Sequence, residues 1–456
     1  MESRNESTTA IPELHPQGLP APKRVELREV KYATVVAFLA WTFAVYDFIL
    51  FGTLLPKIGA ETGLDNADQA GLATAVALGT VVVALAVGPV VDKFGRRAGM
   101  VFTVGGASLA SALTALAGML GAGALVAIRS VAGLGYAEQG VNGAYLSELY
   151  DASDDPRVAK RRGLVYSLVQ GGWPVGALLA AGLTALLLPV VGWRGCFLFA
   201  ALPSLIIALA ATKLRESPQF ERIKQARKLK EQGLRPEAAS MGEGEEKAAG
   251  LRAVFQGDSL RTTLALGIGH LMNWFPVQVF SVLGTTVLVN VHHVTFSNSL
   301  IILLLSNLVA YAGYLVHGFF GDRFHRRNVV SVGWLLGGVV MTAMLFGPDQ
   351  PAVVITLYSV GMFFLIGPYS CLLFLAGESY DSSVRGTGAS LVTAIGPIGA
   401  VLASAASTAL LGNGGHWQMA AFFFGAVPCF ISGLVVLASR KRPQGSLVPE
   451  SVGAVT

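Results

Sequence analysis

Charge is what this sequence has least of. Only 13% of its 456 residues are Asp, Glu, Lys or Arg, about half the ~25% of an ordinary soluble domain, and that shortage excludes a water-soluble enzyme. Cysteine is nearly absent as well. Cys196, Cys371 and Cys429 each fall inside an apolar run, so they read as small core residues and exclude a disulfide framework or a thiolate metal set. There is no GxxxxGK[ST] phosphate cradle, no HExxH and no paired CxxC. ATP-driven transport and a metal centre are therefore not expected, and neither is a cofactor. The run GLGYAEQG from Gly133 to Gly140 misses the GxGxxG spacing and follows no strand, so its small residues serve helix packing. The opening MESRNESTTAIPELHPQ has no apolar stretch behind a charged start and reads as a polar tail rather than a cleaved signal.

What the chain has in excess is apolar surface. Hydrophobic residues make up 53% of it and the mean hydropathy is +0.58, more than cores can hide, so lipid is the solvent for much of the chain. Runs long enough to cross a ~30 Å hydrocarbon layer occur at 33–57, 69–91, 98–120, 122–147, 163–188, 195–212, 263–288, 298–320, 328–347, 352–376, 386–411 and 417–438. Open strands in lipid leave backbone groups unpaired, and these runs are too long for barrel strands, so they are helices. The expected fold is an all-α membrane protein with twelve transmembrane helices in two six-helix halves, 32–212 and 263–439. Segments 1–31 and 440–456 are tails, and 213–262 is a polar central loop with a surface helix in SPQFERIKQARKLKEQG. The net charge of +5 fits basic cytoplasmic loops rather than nucleic acid. With both termini inside, all but Lys57, Arg129 and Arg194 of the 33 Lys and Arg lie on the cytoplasmic side. The expected setting is a bacterial inner membrane, with the chain a monomer in lipid.

The halves are duplicates. GPVVDKFGRR (Gly88 to Arg97) follows the second run and GFFGDRFHRR (Gly318 to Arg327) the eighth, 230 positions later; Glu148 in LSELY and Glu378 in AGESY keep the same offset. Arg161, Arg162 and Gly163 follow the first glutamate, and RGTG from Arg385 follows the second. GGWPVG around Pro174 pairs with IGPIG around Pro397, and Pro203 with Pro428. Gly88 and Gly318 permit close helix approach, while Asp92 and Asp322 can accept hydrogen bonds from a helix N-terminus or nearby arginines. Arg96, Arg97, Glu148 and Arg162 are expected in one ion-pair cluster and Arg326, Arg327, Glu378 and Arg385 in another, as latches on the inner ends of the halves. Topology determinants without a gating role are the plainer alternative. His325 stands where the first motif has Gly95.

This duplicated loop pattern resembles the major facilitator superfamily over roughly 33–438. Within it, AVYDFILFGTLLPKI, RSVAGLG and RESP look like the proton-coupled metabolite and aromatic-acid symporters. The resemblance implies a transporter, not an enzyme, with its site between the halves near the bilayer midplane.

Three fixed charges fall inside the runs: Asp47, Arg129 and Glu138. Ionisable groups at such depth are expensive and usually functional. Asp47 is expected to bind the coupling proton, with Arg129 alternating between Asp47 and an anionic substrate; a static pair locking the first and fourth helices is the alternative. The resemblance implies such roles for a helix-1 acid and a helix-4 arginine, although the aromatic-acid group carries a doubled acid motif and only Asp47 is present here. Helical spacing puts Trp41, Asp47 and Phe51 on one face, and Arg129, Gly133, Tyr136 and Gly140 on one side of the fourth helix. Glu138 falls on the other side with Asn142 and Tyr145, as a second proton-coupling candidate or as part of an interhelical network. A neutral, hydrogen-bonding side of the substrate cavity is expected from His270, Asn273, Trp274 and Gln278, from Asn307, Tyr311 and Tyr314, and from Gln170 with Trp173. The function read from these residues is proton-coupled symport of a small organic anion, a carboxylate. A sugar or polyol symporter and a proton-coupled efflux antiporter are the alternatives.

Overall fold

Apolar runs in lipid must close their backbone hydrogen bonds within themselves, and the chain does so as helix almost throughout. The computed structural model describes residues 24–231, 252–380 and 385–439. Most of both tails and the middle of the central loop lie outside the described residues. The first half comprises α1 (Leu27–Thr62), α2 (Asn66–Phe94), α3 (Arg96–Leu120), α4 (Ala122–Ala132), α5 (Leu134–Asp151), α6 (Pro156–Gln170) and α7 (Gly172–Ala211), followed by the surface helix α8 (Pro218–Glu231). The second comprises α9 (Gly257–Pro276), a π-helical turn (Val277–Val282), α10 (Gly284–Val291), α11 (Phe296–Phe324), α12 (Arg326–Phe346), α13 (Pro351–Ile366), α14 (Tyr369–Glu378) and α15 (Arg385–Gly412). It ends with α16 (Trp417–Ala421), a second π-helical turn (Phe422–Ala426) and α17 (Val427–Val436).

Among the described residues nine helices are long and apolar enough to cross a membrane, and the pair Ser259–Val282 and Gly284–Val291, bent by 70°, makes a tenth crossing. Two more complete the twelve. The 44-residue stretch Leu168–Ala211 is a hairpin, because Gly192 breaks it at φ 65°, ψ 179°. Gly172 lies against Thr42, Arg194 pairs with Glu61 and Tyr32 bonds to the carbonyl of Ala210, so the chain runs out along α1 and back. The last crossing is α4 with α5, interrupted at Gly133. The second half repeats that interruption at Gly367 and Pro368, between α13 and α14.

Leu78, Val82, Leu85, Leu109, Leu186, Val190, Ile206, Phe319 and Leu434 are exposed on the helices, a surface that only lipid satisfies. The halves meet where α2 packs on α15, α7 on α11, and α1 on α10 and the first π-turn. Where helices cross most closely there is no room for a β-carbon. One built on Gly176 would lie 2.5 Å from the Thr42 carbonyl oxygen, and one on Gly399 would lie 2.1 Å from that of Leu271. These contacts set α7 against α1, and α15 against α9.

Candidate functional site: a buried ion pair and an aromatic cavity

Asp47, on α1, and Arg129, near the end of α4, are each 3% exposed. Arg129 Nη1 lies 3.2 and 3.1 Å from the two carboxylate oxygens of Asp47, and its Nη2 donates to the Asp47 backbone carbonyl at 3.0 Å. Ser111 donates to Oδ1 at 2.5 Å. The guanidinium lies over the rings of Phe51 and Phe197, at 5.5 and 5.1 Å from their centroids. Paired, hydrogen-bonded and covered by rings, both charges are compensated deep inside the first half.

The central cavity lies elsewhere, between the halves. The first half lines it with Trp41, Tyr136, Gln139, Gln170 and Trp173. The second half contributes His270, Trp274, Val277, Tyr314, Ile366, Tyr369, Leu372, Ala376, Val392 and Thr393. Four rings form a closed circuit across the interface: Trp41 to Tyr136 at 6.5 Å, Tyr136 to Trp274 at 5.5 Å, Trp274 to Trp173 at 5.7 Å and Trp173 to Trp41 at 6.0 Å. His270 is held on both nitrogens. Its Nδ1 is 2.7 Å from the Val392 carbonyl, which requires a donor, and its Nε2 accepts from Trp274 Nε1 at 2.9 Å. Gly396 makes room for this pair, since a β-carbon there would stand 2.4 Å from Trp274 Nε1.

Trp41, Gln170, Trp173, His270 and Trp274 thus reach the cavity as the spacing predicts. Arg129 does not line it. The expected face shared by Arg129 and Tyr136 is broken at Gly133, whose N–H bonds back three residues to Ser130, so the helix restarts in a new phase. Trp41 and Asp47 part in the same way: Trp41 faces the cavity, while Asp47 and Phe51 face Arg129. Asn273, Gln278, Asn307 and Tyr311 also lie outside the lining. The Asn273 amide nitrogen donates to Ser432 and that of Gln278 to Ser404, while that of Asn307 donates to the Leu303 carbonyl on its own helix; their donors serve helix packing. Tyr136, Gln139, Tyr369 and Thr393 line the cavity without having been assigned to it from the sequence, and of the expected stripe Asn307, Tyr311 and Tyr314 only Tyr314 lines it. Glu138 is fully buried, and among the described residues neither carboxyl oxygen has a partner at hydrogen-bond geometry. Beside it, Asn142 donates to the Ala37 carbonyl at 2.9 Å.

At the end of the bundle where the chain enters and leaves, the duplicated motifs give matching ion pairs. Arg96 Nε is 3.2 Å from Glu148 and Arg326 Nη1 is 3.0 Å from Glu378. Among the described residues Arg97 and Arg327 stay outside both pairs. Arg97 is exposed, and Arg327 donates to the Ser439 carbonyl at 3.0 Å. The side chains of Asp92, Arg162, Asp322 and Arg385 lie outside the described residues. Sequence reasoning missed Glu216, in RESP: it accepts from the backbone N–H groups of Arg96 and Arg97 at 2.9 and 3.2 Å and so caps α3. At the far end the halves touch directly. Thr285 donates to the Thr53 carbonyl at 2.9 Å, and Thr74 and Thr408 are 3.1 Å apart.

Comparison with known proteins agrees with this architecture. The profile of the family described as "Sugar (and other) transporter" fits residues 32–439. The 4-hydroxybenzoate transporter PcaK of Pseudomonas putida is 26% identical over 82% of this chain and 84% of its own length. The gentisate transporter of Corynebacterium glutamicum is 26% identical over 80% of this chain and 78% of its own. A bacterial homologue of the human lysosomal transporter Spinster, solved inward-facing and unoccupied, superposes with a TM-score of 0.65 over 91% of this chain and 96% of its own at 17% identity, a likeness of fold. The chain is a multi-pass membrane transporter, not an enzyme, and it belongs to the sugar (and other) transporter family of the major facilitator superfamily.

Proposed function

We propose that the protein is a proton-coupled symporter that imports a small organic acid built on an aromatic ring, by exposing its central cavity alternately to the two sides of a bacterial inner membrane. The observation that carries this reading is the ring circuit of Trp41, Tyr136, Trp173 and Trp274 at the interface of the halves. Flat rings pack best against other rings, edge to face or offset, and the cargoes named for two of the relatives, 4-hydroxybenzoate and gentisate, carry such a ring. The Lys and Arg bias supports cytoplasmic termini. Nothing in the mechanism requires more than one copy.

Asp47 and Glu138 are the carboxyls assigned to the proton. As an anion Asp47 ties Arg129, and with it α4, to α1; protonation removes the charge that makes the tie. Arg129 then acts through Asp47 rather than on the cargo. Glu138, buried with no cation beside it among the described residues, is costly as an anion and is a second place for a proton. The Arg96–Glu148 and Arg326–Glu378 pairs serve as latches, each within its own half.

Uptake of labelled 4-hydroxybenzoate into proteoliposomes tests the reading. With the outside acidic, accumulation should exceed equilibration and collapse on adding a protonophore, while labelled xylose and lactate stay near background. Asp47→Asn should abolish accumulation yet retain cargo exchange across a gradient-free membrane. Uptake indifferent to the acid step in both proteins would sink the coupling.

A further inference from the structure

The cavity offers hydrogen bonds of both senses and, among the described residues that line it, no fixed charge. Donors are left over. Trp41 Nε1 and the Tyr369 hydroxyl are buried without a partner among the described residues, and the Tyr136 and Tyr314 hydroxyls also belong to the lining residues. Acceptors are left as well. Gln139 donates one amide N–H to Gln170 at 2.9 Å, which leaves its carbonyl and a second N–H, and the Thr393 hydroxyl already donates to the Ala389 carbonyl at 2.9 Å, which leaves its lone pairs. His270 adds nothing, because both of its nitrogens are taken. Arg129, the one buried arginine among the described residues, is committed to Asp47 and does not line the cavity.

We infer that this cavity selects the uncharged form of its aromatic cargo, a group with both a carbonyl and an N–H or O–H, as in a carboxamide or a protonated carboxyl, over the carboxylate. This rests on the aromatic reading above and deepens it. A carboxylate brings acceptors only. It would leave Gln139 and Thr393 facing like partners and would lose its hydration with no cation to replace it. An amidinium brings donors only and would strand Trp41 and Tyr369. A carboxamide, with a carbonyl and two N–H groups, serves Trp41, Tyr369, Gln139 and Thr393; a neutral carboxyl, with a single O–H, serves the two donors and one of the two acceptors.

Three nearly isosteric probes separate the cases: benzamide, uncharged; benzoate, an anion; and benzamidine, a cation. Binding to the purified full-length protein in nanodiscs is read from quenching of tryptophan fluorescence, three of the six tryptophans being in the cavity wall. A benzoic acid with a carboxyl pKa of about 4 is roughly three parts in 10⁴ neutral at pH 7.5. Benzamide should therefore bind on the order of 10³ times more tightly than benzoate at that pH. The gap should close about tenfold for each pH unit lowered, with benzamide itself unchanged. Thr393→Val should weaken benzamide several-fold, and benzoic acid at low pH in the same sense. Benzoate binding as tightly as benzamide at pH 7.5, or benzamidine binding tightest, overturns the inference while the transport reading stands on its own uptake assay. No binding of any of the three overturns both the inference and the aromatic reading.

Discussion

Arg129 shows how a buried charge can be identified correctly and its partner left open. An arginine at membrane depth needs an anion, and the sequence offers two, Asp47 and a carboxylate cargo. Which one it meets depends on helical phase, and the phase of the fourth crossing is reset at Gly133, in an ordinary αR conformation that leaves no mark on a spacing pattern. Because the pair is sealed, its two members should depend on each other. Arg129→Ala strands a buried carboxylate and should cost about 3–5 kcal/mol, whereas Arg129→Ala with Asp47→Asn should recover much of that loss. Melting temperatures in one detergent check it: a double variant no more stable than Arg129→Ala would mean that the two residues are not coupled. The cavity was partly legible for a related reason. Tryptophan and histidine are too large and polar to be idle at a helix crossing, so Trp41, Trp173, His270 and Trp274 stand out. Asn273, Gln278 and Asn307 look equally promising, but an amide nitrogen between helices can donate to any neighbouring hydroxyl or carbonyl, and theirs do.

At the scale of the element, the seventh crossing differs from its counterpart in the first half. The first crossing is one continuous helix despite Pro56. The seventh follows Pro276 with a π-turn over Val277–Val282 and then bends by 70° into α10. Proline lacks the N–H that the regular ladder needs there, and the wider turn is a local answer. The sequence marks the proline but not which irregularity follows it. The Tyr358 hydroxyl donates to the Phe280 carbonyl inside the turn, and Thr285 ties the start of α10 to α1. A β-carbon on Gly52 would stand 2.2 Å from the Val282 carbonyl oxygen, so this glycine lets α1 and the π-turn close against each other. Gly52→Val should hold the far end of the cavity open. A membrane-impermeant maleimide should then label Thr285→Cys several-fold faster in the Gly52→Val background. The three native cysteines are buried and give a low background. Equal labelling in the two backgrounds would show that closure does not depend on this contact.

The whole molecule is a doubled object, and that was the most legible thing about it. Two loop motifs 230 residues apart gave the halves, and the paired Arg96–Glu148 and Arg326–Glu378 bonds are the same contact made twice. What the sequence could not supply is how the halves lean on each other, because that depends on small residues and hydroxyls whose partners are hundreds of positions away. Thr74 on α2 and Thr408 on α15 are such a pair, their hydroxyl oxygens 3.1 Å apart near the far end of the cavity. Under the proposed mechanism this contact must break once in every cycle. Cysteines at the two positions would put their sulfurs about where these oxygens stand, so a disulfide there would hold the two helices at this contact. Thr74→Cys with Thr408→Cys should therefore cross-link on mild oxidation, stop net uptake to background and recover on adding a thiol reductant. Each single variant, oxidised in the same way, should transport like the parent. A fully cross-linked double variant that still accumulates 4-hydroxybenzoate at the parent rate would mean that α2 and α15 never separate, and that the cargo crosses without the two halves rocking apart.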